Sequence, residues 1–150
     1  MSRNSGIMTE YNRVFLDTTP LIYFLDDDVN FGKKTKSILE EILSAGKSLV
    51  SSVITCEEYL VYPYRSGNQE KVDVFFEFSD ACRIDLVPIS LDVATLAAKI
   101  KAEYKDFKTM DSLQLAVALY SGCDLFLTND KQLKRFSYLR CATVEDWELV

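Results

Sequence analysis

Residues Arg13 to Leu25 read RVFLDTTPLIYFL, a stretch in which one acid, Asp17, separates two apolar runs. Val14, Phe15 and Leu16 have the pattern of a short buried strand, and Thr19 followed by Pro20 reads as the N-cap and first turn of a helix. Asp17 therefore marks a strand-to-helix junction. In open α/β sheets such junctions form the edge where ligands bind, because the chain leaves the sheet there and helix N-termini face the crevice. Asp17 also has a purely structural reading, as a residue that caps the helix.

The same grammar repeats along the chain. Val14 to Asp17, Ser48 to Ser51, Ile84 to Ile89, Leu125 to Thr128 and Arg140 to Val144 read as strands. Helical patterns lie between them near Pro20 to Leu25, Lys33 to Ala45, Val53 to Tyr62 (ended by Pro63), Gln69 to Cys82, Leu91 to Tyr104 and Met110 to Ser121, with a short one from Lys131. Alternating strands and helices predict a three-layer α/β/α fold around a central parallel sheet of about five strands. A chain of 150 residues is long enough for one full core, so a single domain is expected over residues 13–150, with residues 1–12 as a mobile extension. The run VDVFFEF, Val72 to Phe78, is apolar nearly all round a helix, which calls for cover from the core or from another subunit.

Composition excludes several chemistries. The chain has no histidine, which removes Ser-His-Asp and Cys-His catalysis and histidine-based zinc hydrolysis. Cys56, Cys82, Cys123 and Cys141 are far apart and form no CxxC pair, so free thiols are expected. No apolar run reaches the ~18 residues of a membrane span, and the first dozen residues have no apolar segment of the signal-peptide kind, so a cytoplasmic protein without a membrane is expected. With 17 basic and 23 acidic side chains the net charge is −6, the wrong sign for binding nucleic acid through the overall field.

Acids recur at the junctions. LFLTNDK ends a strand at Asp130, TMDSLQLAVAL puts Asp111 in the first turn of a helix, and SSVITCEEYLVY carries Glu57 and Glu58 early in another. Each has an innocent role as a cap or as a charge favoured by the helix dipole. Helical periodicity does not choose between Glu57 and Glu58 and leans slightly toward Glu57 as the inward one. In a doubly wound sheet these points share one rim. Two carboxylates at ~4 Å, with an effective dielectric of ~20, repel by about 4 kcal/mol, and hard divalent cations are the common remedy.

These four segments, LDTTPLI, TCEEYL, MDSLQLAVAL and LTNDKQL, resemble in order and separation the PIN domain nucleases, and among them the VapC-type toxins of toxin–antitoxin pairs. The resemblance runs from Val14 to Val144. Thr19 stands where such proteins often have Ser or Asn, and Leu133 where an aromatic is frequent. What the resemblance implies is a metal-dependent endoribonuclease, using one or two Mg²⁺ or Mn²⁺ ions held by Asp17, Asp111 and Asp130. It selects Glu58, rather than Glu57, as a further ligand or a water-positioning group. It also implies a cognate antitoxin over the first helices, around Leu21 to Leu43, and a homodimer, with VDVFFEF as a candidate contact. Thr18, Thr128 and Asn129 are candidates to hold water or phosphate oxygens, and equally to cap helices. Lys105, Lys108, Lys131, Lys134 and Arg135 flank Asp111 and Asp130 and are candidates to meet RNA, although such runs often only solvate a helix face. The alternatives are a PIN nuclease of RNA or DNA processing and a PIN-like binding module without catalysis.

Overall fold

The computed structural model describes residues 10–150. Five strands form one sheet: β1 (Arg13–Leu16), β2 (Ser48–Ser52), β3 (Asp85–Val87), β4 (Leu125–Thr128) and β5 (Cys141–Thr143). Among the described residues there are six α-helices: α1 (Thr18–Leu25), α2 (Gly32–Ser44), α3 (Val53–Arg65), α4 (Gln69–Ala81), α5 (Leu91–Glu103) and α6 (Thr109–Tyr120). A 3₁₀ turn at Lys131–Arg135 follows β4. The expected mobile extension at residues 1–12 lies mostly outside the described residues. At its described end, Tyr11 is buried against Trp147, and the Asn12 N–H donates to the Asp124 carboxylate.

All strand pairs are parallel, in the order β3-β2-β1-β4-β5. The chain builds outward from β1 to β2 and β3, then returns to place β4 on the other side of β1. That reversal makes the C-terminal ends of β1 and β4 the switch point of the sheet, where neighbouring connections part and leave a crevice. Asp17 directly follows β1, and Asn129 and Asp130 directly follow β4.

The unbroken apolar reading of the central strands follows from cover on both faces. Val14 and Leu16 of β1, with Leu125 and Leu127 of β4, pack into one core with Leu21, Ile38, Ile42, Leu60, Phe75 and Trp147. Phe15 and Phe126 face the opposite core with Val93, Ala97, Phe107, Leu115 and Leu133. The two phenyl rings stack across β1 and β4 with centroids 4.9 Å apart, a pair worth ~1 kcal/mol beyond its buried area.

Most sequence-based boundaries move by a residue or two, β3 for one being only Asp85–Val87, and two helix ends have a clear cause. Helix α1 begins at Thr18, not at Pro20: Asp17, in extended conformation, accepts from the Thr18 N–H and is itself the N-cap. Pro20 then sits in the first turn, where a missing N–H costs nothing. Helix α3 runs through Pro63 to Arg65, because proline in the last turn removes only one hydrogen bond and its fixed φ is helical. Helix α4 buries Val72, Phe75 and Ser79 and leaves Val74 and Phe76 exposed, so the core covers one side of VDVFFEF only.

Candidate active site

Asp17 is anchored from several sides. Its backbone N–H donates to the Leu127 carbonyl across the β1–β4 seam. Its Oδ1 accepts from the Thr18 N–H at 2.9 Å and its Oδ2 from the Thr128 hydroxyl at 2.9 Å. Only 9% of the residue is exposed. Burial, reinforced by the negative charge of Asp111, pushes its carboxyl up to about 6, although the hydrogen bonds from Thr128, Thr18 and Gln114 pull the other way.

Asp111, in the first turn of α6, is half-buried and electrostatically central. Burial raises its carboxyl above the ordinary range, the charges of Asp130 and Glu58 add to that rise, and Lys108 opposes it. Asp17, Glu58, Asp111 and Asp130 thus feel one another around Asp111, from four different segments. Of the two glutamates on α3, Glu58 reaches this rim, accepting from the Thr18 hydroxyl at 2.6 Å. Helical spacing sets Val53, Leu60 and Val61 beside Glu57 and Ile54, Val61 and Tyr62 beside Glu58; of these only Leu60 and Ile54 are buried, so apolar neighbours do not separate the two glutamates. The buried face of α3 is Ile54, Thr55, Tyr59, Leu60 and Pro63, and Glu58 flanks it one turn after Thr55.

Among the described residues, no three acidic or cysteine side chains stand close enough together to close around an ion. The reason lies in their partners. Both Asp17 oxygens are held by protein donors, Glu58 Oε1 by Thr18, and Asp130 Oδ1 by the Gln132 N–H at 3.0 Å. The donor set still suits a hard divalent cation, since it consists of carboxylates, two of which, Asp17 and Asp111, are raised by burial and by neighbouring negative charge that a cation would offset. Mg²⁺ in particular binds through one or two carboxylates and keeps several waters, so a closed protein cage is not required.

The flanking candidates divide. Thr128 joins Asp17 to the Asp130 N–H, which donates to its hydroxyl at 3.1 Å. Asn129 turns away, donating to the Tyr23 hydroxyl at 2.9 Å and accepting from the Glu145 N–H at 3.4 Å. Lys105 and Lys108 are exposed. Lys131 pairs with Glu145 at 3.6 Å, Lys134 pairs with Asp146, and Arg135 lies 3.9 Å from Asp106 and over the Phe107 ring.

Sequence reasoning missed Gln114, one turn beyond Asp111. It is buried, and its Nε2 donates to Thr55 Oγ1 at 2.7 Å and toward Asp17 Oδ1 at 3.4 Å, while Ser52 donates to its Oε1. The available signal was a lone amide in the apolar run LQLAVAL, on the face that also carries Asp111.

A family model for the PIN domain matches residues 14–138. The chain belongs to the PIN domain family. No curated protein sequence matches it. Among solved structures, this PIN domain is similar to a toxin–antitoxin complex from Klebsiella pneumoniae (TM-score 0.66, 22% identity, 87% of this chain and 97% of that one). It is also similar to VapBC2 from Rickettsia felis, bound to a promoter DNA fragment (0.68, 19%, 87% and 98%). A third similar structure is VapC20 from Mycobacterium tuberculosis, a toxin that cleaves the sarcin–ricin loop (0.64, 13%, 84% and 96%). At these identities the likeness concerns the fold. Among the described residues, no helix of the PIN domain is long and apolar enough to cross a membrane.

Proposed function

We propose that this PIN domain is a metal-dependent endoribonuclease and the toxin of a toxin–antitoxin pair. The observation that carries the reading is the mutual charge of Asp17, Asp111, Asp130 and Glu58 at the switch point of the sheet. The family is generally one of nucleases, and the similar structures named above include toxin–antitoxin complexes and a toxin that cleaves RNA.

Asp17, Asp111 and Asp130 would hold one or two Mg²⁺ or Mn²⁺ ions, with Glu58 as a further ligand or a group that positions water. When bound, the ion supplies Lewis acidity that brings water ionisation toward neutral pH and offsets charge on the phosphodiester. The chain's own part is orientation. Thr128 and the Thr18 N–H hold the Asp17 carboxylate in one rotamer, and Thr18 holds Glu58 at the rim, where its exposed carboxylate can orient a water and take its proton. Lys108, beside Asp111, supplies positive charge toward a phosphate. An antitoxin would lie over α1 and α2, and a second copy of the chain would cover the exposed Val74 and Phe76 of α4.

Incubation with total RNA, with and without EDTA, followed by mapping of the ends produced, tests the reading. Discrete, EDTA-sensitive cuts that vanish in Asp111→Asn are expected of a toxin, whereas broad degradation would favour a general nuclease. Mn²⁺ at millimolar concentration should raise the melting temperature through binding to the folded state. No cleavage and no thermal shift would overturn the proposal.

A further inference from the structure

We propose that Gln114 is a positioning residue of the carboxylate rim: its buried amide joins the cap of α3 to Asp17 and to the two threonines beneath Glu58, and so holds both carboxylates in place. The inference rests on the nuclease reading and concerns how the protein holds that site.

The proton count starts at Ser52, the N-cap of α3. Its Oγ accepts from the Ile54 N–H at 3.1 Å and the Thr55 N–H at 3.5 Å, and its own proton goes to Gln114 Oε1. That choice sets the rotation of the amide. The flipped amide would offer Nε2–H to an oxygen already accepting twice, and would set Oε1 against the Asp17 carboxylate with no proton between them. With Oε1 on Ser52, Nε2 faces Thr55 Oγ1 at 2.7 Å, Asp17 Oδ1 at 3.4 Å and Thr18 Oγ1 at 3.5 Å.

Each hydroxyl then has one proton to place. Thr18 Oγ1 is within donor reach of Glu58 Oε1 at 2.6 Å and of Thr55 Oγ1 at 3.2 Å, and its one proton goes to the nearer, charged oxygen, while Gln114 Nε2 faces it at 3.5 Å. Thr55 accepts from Gln114 at 2.7 Å and lies against the Thr18 hydroxyl at 3.2 Å. Ser52, Gln114, Thr55, Thr18 and Glu58 form one contiguous network in which Gln114 is the shared member of the buried part, and the second Nε2 proton points at Asp17. Bonds in such a network polarise one another, and in a buried site an unpaired member is costly. Gln114 therefore ties α6 to the α3 cap, to the start of α1 and to the Asp17 carboxylate, without lying at the exposed rim itself.

The test uses the full chain with Gln114→Met, close in length but without hydrogen bonds, and Thr55→Val, which removes the nearest acceptor of the Gln114 amide. Mn²⁺ affinity is read by electron paramagnetic resonance in the absence of RNA, alongside kcat and KM for RNA cleavage and the melting temperature. Expected are a loss of Mn²⁺ affinity of about 10–100-fold, the usual scale for groups that orient ligands, a comparable fall in kcat, and an RNA KM within about twofold of wild type. The double variant should be no worse than the poorer single one, since both cut one network. If Gln114→Met fails to fold, Thr55→Val and the double variant, in which both partners of the bond are apolar, carry the same measurements. Folded variants that bind Mn²⁺ and cut RNA as wild type does would overturn the role of Gln114 alone. A wild-type chain that neither binds Mn²⁺ nor cuts would instead remove the nuclease reading, and this inference with it.

Discussion

Asp17 shows how one side chain carries a structural burden and, in the proposed function, a chemical one. It caps α1, and it is buried with its carboxyl pushed up to about 6 from an ordinary 3.8, chiefly by burial and then by the charge of Asp111. A raised carboxyl means that the folded protein holds a proton which the unfolded chain has already released. At pH below 3.8 both forms are protonated and Asp17 adds no charge penalty. As pH rises from 3.8 toward 6 stability falls, and above 6 the deficit is complete, about 3 kcal/mol at the scale of ~1.4 kcal/mol per unit. Urea midpoints of the EDTA-treated protein at pH 4 and pH 7.5, compared between wild type and Asp17→Asn, isolate this contribution. The variant should be the more stable at pH 7.5, by an amount that shrinks toward pH 4; an equal difference at both values would mean that Asp17 stays ionised throughout. Mn²⁺ should narrow the gap at pH 7.5, because a cation stabilises the ionised form of Asp17.

The elements were legible where local physics decides them and obscure where packing does. The central strands β1 and β4 could be read because both faces are covered, which demands unbroken apolar runs such as VFL and LFL. The recurring acids at strand ends and helix starts could be read because the motif depends on chain order alone. Helix ends moved by a few residues, since Asp17 outcompeted Thr19 as a cap and Pro63 was tolerated in a last turn. Gln114 stayed hidden because its partners, Ser52, Thr55 and Asp17, lie on other segments, and no periodicity reports a contact between elements. Gly32 is a further case. It opens α2 where the chain turns back on α1, and a Cβ there would lie 3.0 Å from the Tyr23 carbonyl oxygen and 3.1 Å from the Asp27 carbonyl carbon. Both are backbone atoms, which cannot rotate aside. Gly32→Ala should therefore cost roughly 1–3 kcal/mol, the usual range for overpacking, visible as a lower urea midpoint with an unchanged slope. A neutral result would show that the α1–α2 turn yields at little cost.

At the scale of the whole molecule the difficulty is charge, since a net −6 opposes RNA. A groove of about 700 Å³ bordered by Tyr11, Glu41, Lys47 and Val150 lies beside the N-terminal ends of β1 and β2, the opposite end of the sheet from the carboxylate rim. Concavity alone would therefore point away from the proposed site, which lies at the switch point of the sheet. Beside that rim the basic side chains after β4 are engaged by acids of the same chain, Lys131 by Glu145 and Lys134 by Asp146. Exposed pairs of this kind contribute ~0–1 kcal/mol to folding, so their loss should hardly change stability. Their effect on the proposed RNA substrate should be larger, because a phosphate would compete with a carboxylate already beside each lysine. Glu145→Gln with Asp146→Asn frees both lysines and also raises the net charge by two. The double variant should bind RNA more tightly at low salt, with kcat preserved. If both lysines meet phosphates, the logarithm of affinity should fall more steeply with the logarithm of salt concentration, by up to ~1.4, from ~0.7 per contact on a single strand. Affinity measured by fluorescence anisotropy from 50 to 300 mM KCl, with Mg²⁺ held constant, decides the matter. A tighter complex with an unchanged salt slope would mean that only the overall field had improved, and would place the path of the RNA along Lys105 and Lys108 instead.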